Sequence, residues 1–118
     1  MPLRCLIVDD NPSFLHAAGR LLARQGLTVV GEASTGAEAV RLADELRPDV
    51  VLVDIVLGGE SGFDVARRLA AGSDGRLTVI LVSTHSEADF ADLIRQAPVA
   101  GFVPKSELSA TAIQRLAG

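Results

Sequence analysis

The sequence predicts a doubly wound α/β domain, five parallel strands alternating with five helices within 118 residues. Three observations point there. Apolar, β-rich runs alternate with helix-patterned stretches along the whole chain. The runs "LRCLIV", "VVLVD" and "TVILVS" are almost continuously apolar, as strands covered by helices on both faces must be. Short turns with helix-start residues join the runs, leaving no linker, repeat or low-complexity tract.

Strand one covers 3–8 and stops at Asp9 and Asp10. Asn11 then offers an N-cap and Pro12 suits the first helical position, while Leu15, Ala18 and Leu22 fall at helical spacing. Strand two covers 28–32, and Thr35 with Glu38 has the spacing of a capping box. Helix two carries Val40, Ala43 and Leu46 on one stripe, and Pro48 closes it. Strand three covers 50–54, with Ser61 as cap of the third helix. Strand four covers 78–83, followed by the capping-box pair Ser86 and Asp89. Strand five covers 101–103, with Ser106 as cap of a fifth helix over 107–117. Strands one, three and four, the most apolar, form the centre of the sheet.

Size and composition narrow the function classes. The chain has room for one core, so residues 1–118 read as one domain without a second. It is 48% hydrophobic and 22% charged, a globular balance. No run approaches the ~18 apolar residues of a membrane span. The N-terminus reads as a strand, not a signal peptide, which predicts a cytoplasmic protein. A net charge of −4 with no basic cluster argues against direct nucleic-acid binding. Cys5, the single cysteine, sits inside an apolar run as core. Lysine also occurs once, at Lys105, against ten arginines.

In doubly wound sheets ligands bind beyond the carboxyl ends of the strands. Those ends carry Asp9, Asp10, Asp54, Ser83 and Lys105: three acids, a hydroxyl and the only lysine on one rim. Clustered carboxylates repel and are costly to desolvate unless a positive charge joins them. Oxygen ligands of this kind suit Mg²⁺, which keeps some of its waters. Lys105 adds a compact cation, and the set suits a phosphoryl group, whose transfer depends on positioning and charge neutralisation. Taken singly, an acid at a strand end is a helix cap or a solvated turn; five such positions together are not. The chain has no GxGxxG or GxxxxGK pattern to cradle a nucleotide phosphate.

The stretches "IVDDNP", "DVVLVDIVLGGESGFDVARRL", "VILVST" and "GFVPKSEL", in this order and spacing, resemble the receiver domain of bacterial two-component response regulators. The resemblance implies a flavodoxin-like fold with strand order 2-1-3-4-5. It implies that Asp54 accepts a phosphoryl group from a sensor histidine kinase or phosphotransfer protein. Asp10, Asp54 and the Val56 backbone carbonyl would hold Mg²⁺ directly, Asp9 would act through water, and Lys105 would pair with a phosphoryl oxygen. Ser83 would turn toward the phosphoryl group and Phe102 would follow it, although an aromatic on a short strand is equally well plain core. The outcome would be a changed surface on helix four, strand five and helix five, open to a homodimer or another partner. Such a domain is a signalling switch that catalyses only its own phosphoryl transfer.

Departures from the family pattern carry expectations of their own. Pro104 precedes the lysine and Ser106 follows it, where the family often has Pro after the lysine. "LGG" replaces the frequent "MPG" and predicts a more flexible loop. Thr84, larger than usual, narrows the approach. Apolar Val56 cannot orient water, which with His85 beside the same path predicts slow autodephosphorylation. His85 and His16 otherwise read as solvated histidines. Two other functions remain open at this point: a receiver-like module that binds partners without phosphorylation, and a haloacid-dehalogenase-like phosphohydrolase. The latter needs a second Asp two residues past the nucleophile, where this chain has Val56.

Overall fold

The structure is a computed structural model, and it describes residues 3–73 and 76–118. Five parallel strands form one sheet: β1 (Arg4–Val8), β2 (Thr28–Ala33), β3 (Val50–Asp54), β4 (Thr78–Ser83) and β5 (Gly101–Pro104). Their order is β2-β1-β3-β4-β5, as expected. Five helices alternate with them: α1 (Pro12–Arg24), α2 (Gly36–Leu46), α3 (Gly62–Ser73), α4 (Ala91–Gln96) and α5 (Ala110–Ala117).

Strand alternation divides the core into two layers. Leu6, Val8, Val51, Val53, Val79 and Leu81 face Ala39, Val65, Ala66 and Leu69 of α2 and α3, with Phe90 and Ile94 at the edge. Cys5, Ile7, Leu52, Ile80 and Val82 face Leu15, Ala18 and Leu22 of α1 and Ile113 of α5. Each fully buried Leu, Ile or Val contributes roughly 1.5–3 kcal/mol of transfer free energy. The central strands, buried except at the first residues of β1 and β4, therefore hold the rim to which they deliver their acids. Burial pushes the Cys5 thiol up to about 12, so it is an inert core residue.

The caps are partly as expected. Asn11 accepts hydrogen bonds from the Ser13 and Phe14 N–H groups, and Thr35 from that of Glu38. Glu38 reaches back one residue further than a capping box requires, accepting from the Ser34 N–H at 2.7 Å. Helix α2 ends with Arg47 left-handed at φ 50°, and the Arg4 guanidinium donates to the freed carbonyls of Leu46 and Arg47. Ser61 accepts from the Phe63 N–H.

Two expected caps are corrected. The Ser86 side chain caps nothing: 87–90 form a 3₁₀ turn held by the Ser86 carbonyl, and α4 starts later and is only six residues long. Ser106 lies in a second 3₁₀ turn, Lys105–Glu107, and α5 begins at Ala110 with Ser109 as its cap. Leu108 is buried between them and needs extended backbone, which delays the helix.

The "LGG" segment closes into a hairpin, Val56–Leu57 pairing antiparallel with Glu60–Ser61 around Gly58 and Gly59. Gly58 has φ +58°, which glycine adopts freely. Glu60 ties the hairpin down by accepting the Gly36 N–H at the start of α2, 2.9 Å away. A flexible loop was expected here, and a paired, anchored turn is found.

Candidate functional site

The rim brings together the expected acids and the lysine. Asp9 follows β1, its N–H bonded to the Ala33 carbonyl of β2, and its side chain is completely buried. Asp54 ends β3 in register with Val82 of β4 and is 7% exposed. Asp10 points to solvent, against Gly58 of the hairpin. One carboxylate oxygen from each of Asp9, Asp10 and Asp54 lies within 4.8 Å of the others.

Lys105 enters from the turn after β5. Its ammonium lies 2.6 Å from Asp9 Oδ2 and 3.1 Å from Asp54 Oδ2, with the side chain 14% exposed. Asp9 Oδ1 accepts the Asn11 N–H at 2.9 Å, and Oδ2 faces the Lys105 ammonium. Asp54 Oδ1 accepts the Val56 N–H at 3.2 Å. Two buried acids thus share one lysine, beside a third, exposed acid. The oxygen-only donor set of Asp9, Asp10 and Asp54 fits a hard divalent cation such as Mg²⁺.

Electrostatics record this crowding. Burial lifts the Asp54 carboxyl above the usual range, Lys105 pulls it back down, and the Asp9 charge lifts it again, with a net rise. Burial alone would lower Lys105, but its bonds and charge contacts with Asp9 and Asp54 outweigh that and raise it. Lys105 is therefore firmly charged.

Ser83 is 1% exposed at the end of β4. Its hydroxyl oxygen accepts the His85 N–H at 3.0 Å and stands 3.3 Å from His85 Nδ1. His85 is an exposed loop histidine, as expected, and its ring also meets Phe90 edge-on at 5.8 Å. Phe102, half-buried on β5, packs against the α2–α3 layer and lines a groove with Arg115 and Leu116. Val56 is 50% exposed.

Over this geometry the chain matches the family described as the response regulator receiver domain, across residues 5–117. The chain belongs to this family. Receiver-domain relatives include the response regulator GacA of Pseudomonas aeruginosa, 36% identical over 87% of this chain and 48% of that protein. The nitrate/nitrite response regulator NarL of Escherichia coli is 36% identical over 73% of this chain and 41% of that protein. Among solved structures, a LuxR-family two-component response regulator from Aurantimonas superposes with TM-score 0.85 at 33% identity, covering 97% of this chain and 81% of that one. The receiver domain of the response regulator NarL from Mycobacterium tuberculosis gives 0.82 at 31% identity, covering 99% and 98%. The receiver spans about half the length of the curated relatives it matches.

The sequence reading passed over two residues of this receiver. Phe14, on the first turn of α1, puts its ring 4.3 Å from the Lys105 ammonium. Gly62 starts α3 against the backbone at the end of β3, where a Cβ would lie 2.1 Å from the Asp54 carbonyl oxygen. Gly62 left a readable trace, a glycine heading a helix directly after a strand and a turn. Phe14 left none, because its partner is 91 positions away in sequence.

Proposed function

We propose that Asp54 is the phosphoacceptor of a two-component switch, phosphorylated by a phosphohistidine on a sensor histidine kinase or phosphotransfer protein. One observation carries the reading: the buried Lys105 ammonium bridges Asp9 and Asp54 on the rim where Asp10 converges. An Asp54 carboxylate oxygen attacks phosphorus, the P–N bond breaks, and its electron pair returns to the imidazole of the donor. Asp10, Asp54 and the Val56 carbonyl would hold Mg²⁺, with Asp9 acting through water. Bound there, Mg²⁺ neutralises charge so that two anions can approach.

Lys105 exchanges its Asp54 oxygen for a phosphoryl oxygen and keeps Asp9. Ser83 exchanges His85 for the phosphoryl group, and Phe102 takes up the space this movement leaves. The response falls on α4, β5 and α5, where a groove of about 230 Å³ lined by Phe102, Pro104 and Leu116 offers a surface for a second copy or another protein. A net charge of −4 does not favour direct nucleic-acid contact, so an effector region or a docked partner carries the output. Phosphohistidine donors and Mg²⁺ support a cytoplasmic setting, and among the described residues no helix is long and apolar enough to cross a membrane. Reversal is slow, because exposed, apolar Val56 cannot orient water and the His85 ring is engaged with Ser83 and Phe90.

Labelling by acetyl phosphate with Mg²⁺ tests the assignment. Asp54→Asn abolishes the label; a label that persists in this variant overturns it.

A further inference from the structure

We propose that Phe14 is a positioning residue for phosphoryl transfer, its ring face holding the Lys105 ammonium over Asp54 while the lysine changes partners. The inference rests on the reading above, in which Lys105 passes from an Asp54 oxygen to a phosphoryl oxygen.

The contact is built from both sides. Asn11 donates its N–H to Asp9 Oδ1 and caps α1 through its own Oδ1, which accepts the Phe14 N–H at 3.3 Å. Asp9, Asn11 and Phe14 are thus one linked piece joining the end of β1 to the start of α1. Lys105 arrives separately, on the turn after β5, and its four-carbon stem gives the ammonium many positions. Asp9 and Asp54 fix two directions, at 2.6 and 3.1 Å. The Phe14 ring, 4.3 Å from Nζ, fixes a third.

The chemistry of a ring face suits a cation that must change partners. The negative face of the π system attracts the ammonium without accepting a directed hydrogen bond, so every N–H remains available for oxygen. Asp54 cannot hold the lysine equally throughout the step, because its carboxylate charge is lost once one oxygen becomes the P–O–C bridge. Attraction to the ring is the same before and after. Limited solvent access at 14% exposure preserves that attraction from screening. A leucine at position 14 would fill the space but leave Lys105 held by carboxylates alone.

The experiment uses the single lysine of the chain as its reporter. In wild-type protein labelled with ¹³C-lysine, the Lys105 Hε signals should be displaced upfield by the ring current. Unshifted signals overturn the proposal, whatever the variants do. With acetyl phosphate as donor, Phe14→Leu should lower the maximal labelling rate about three- to tenfold, with the Mg²⁺ concentration for half-maximal rate unchanged. Phe14→Tyr, which keeps the ring, should restore the rate to within about twofold. Equal losses in Leu and Tyr variants would show that shape, and not the ring face, matters, and would overturn it. Labelling that survives Asp54→Asn would instead defeat the acceptor assignment while leaving the ring-current result standing.

Discussion

The carboxylate rim and the α4 side of the domain sit at the same end of one sheet, yet they are built in opposite ways. Asp9 and Asp54 are buried at the ends of the strands with the most complete cover, and Lys105 is clamped between them. Beyond Ser83 the chain runs through exposed residues, a 3₁₀ turn and a six-residue helix with no buried residue. Phe90, Ile94, Ala97 and Val99 attach this segment to the core only as partly buried contacts. On the proposed reading, chemistry that needs fixed distances falls where the core is deepest, and the response falls where rearrangement costs little.

Gly62 gives the largest test of the rigid half. An alanine there places Cβ 2.1 Å from the Asp54 carbonyl oxygen and 2.8 Å from the Ile55 Cα, and backbone cannot step aside as a side chain end can. Gly62→Ala should cost about 4 kcal/mol in urea unfolding and displace Asp54. A cost under about 1 kcal/mol would mean that the β3–α3 junction is softer than its packing implies.

Hydrogen exchange tests the contrast between the halves directly. Amides of β1, β3 and β4 should exchange only on global unfolding, and those of α4 by local opening cheaper by about 3 kcal/mol. Equal protection in both would remove the distinction.

What was readable in the sequence follows the same division. Strand ends and acids were legible because continuous apolar runs stop at polar residues, and Asn11, Thr35 and Ser61 were legible as caps because their hydrogen bonds are local. The hairpin has a local signal too, since Gly58–Gly59 between two short segments suits a two-residue turn. The late start of α5 was obscured because Ser106 and Ser109 are both serines of cap type, and only burial of Leu108 chooses between them. Contacts made after chain closure, such as Lys105 on Phe14, depend on side-chain directions that spacing alone does not carry.

A smaller effect comes from charge crowding on the rim. The Asp54 carboxyl is held above its ordinary 3.8, by burial first and then by Asp9, with Lys105 opposing. A group raised in this way favours the fold while protonated, and the fold loses stability as pH rises from 3.8 through the folded value. Lys105, raised above 10.5, stays charged across this window and contributes a constant term. In EDTA at pH 7, Asp54→Asn should therefore stabilise the protein by about 1 kcal/mol, the scale of one relieved like-charge contact. The gain should vanish below pH 3.8, where both states of the wild type are protonated. A loss of stability at pH 7 would show that the Lys105 pairing outweighs burial.

The smallest effect probes the seam between the halves, at Ser83. Its hydroxyl oxygen receives the His85 backbone N–H, which any residue at 85 supplies, so His85→Ala removes only the Nδ1 contact at 3.3 Å and the edge contact with Phe90. Stability should fall by about 0.5 kcal/mol, the low end for an intramolecular hydrogen bond. The same change frees the Ser83 hydroxyl from its Nδ1 contact, so the phosphoryl mimic beryllofluoride should bind about two- to threefold more tightly, as that energy predicts. Weaker binding would mean that His85 orients Ser83 toward the acceptor, and the responsive half would then begin one residue earlier, at Ser83 itself.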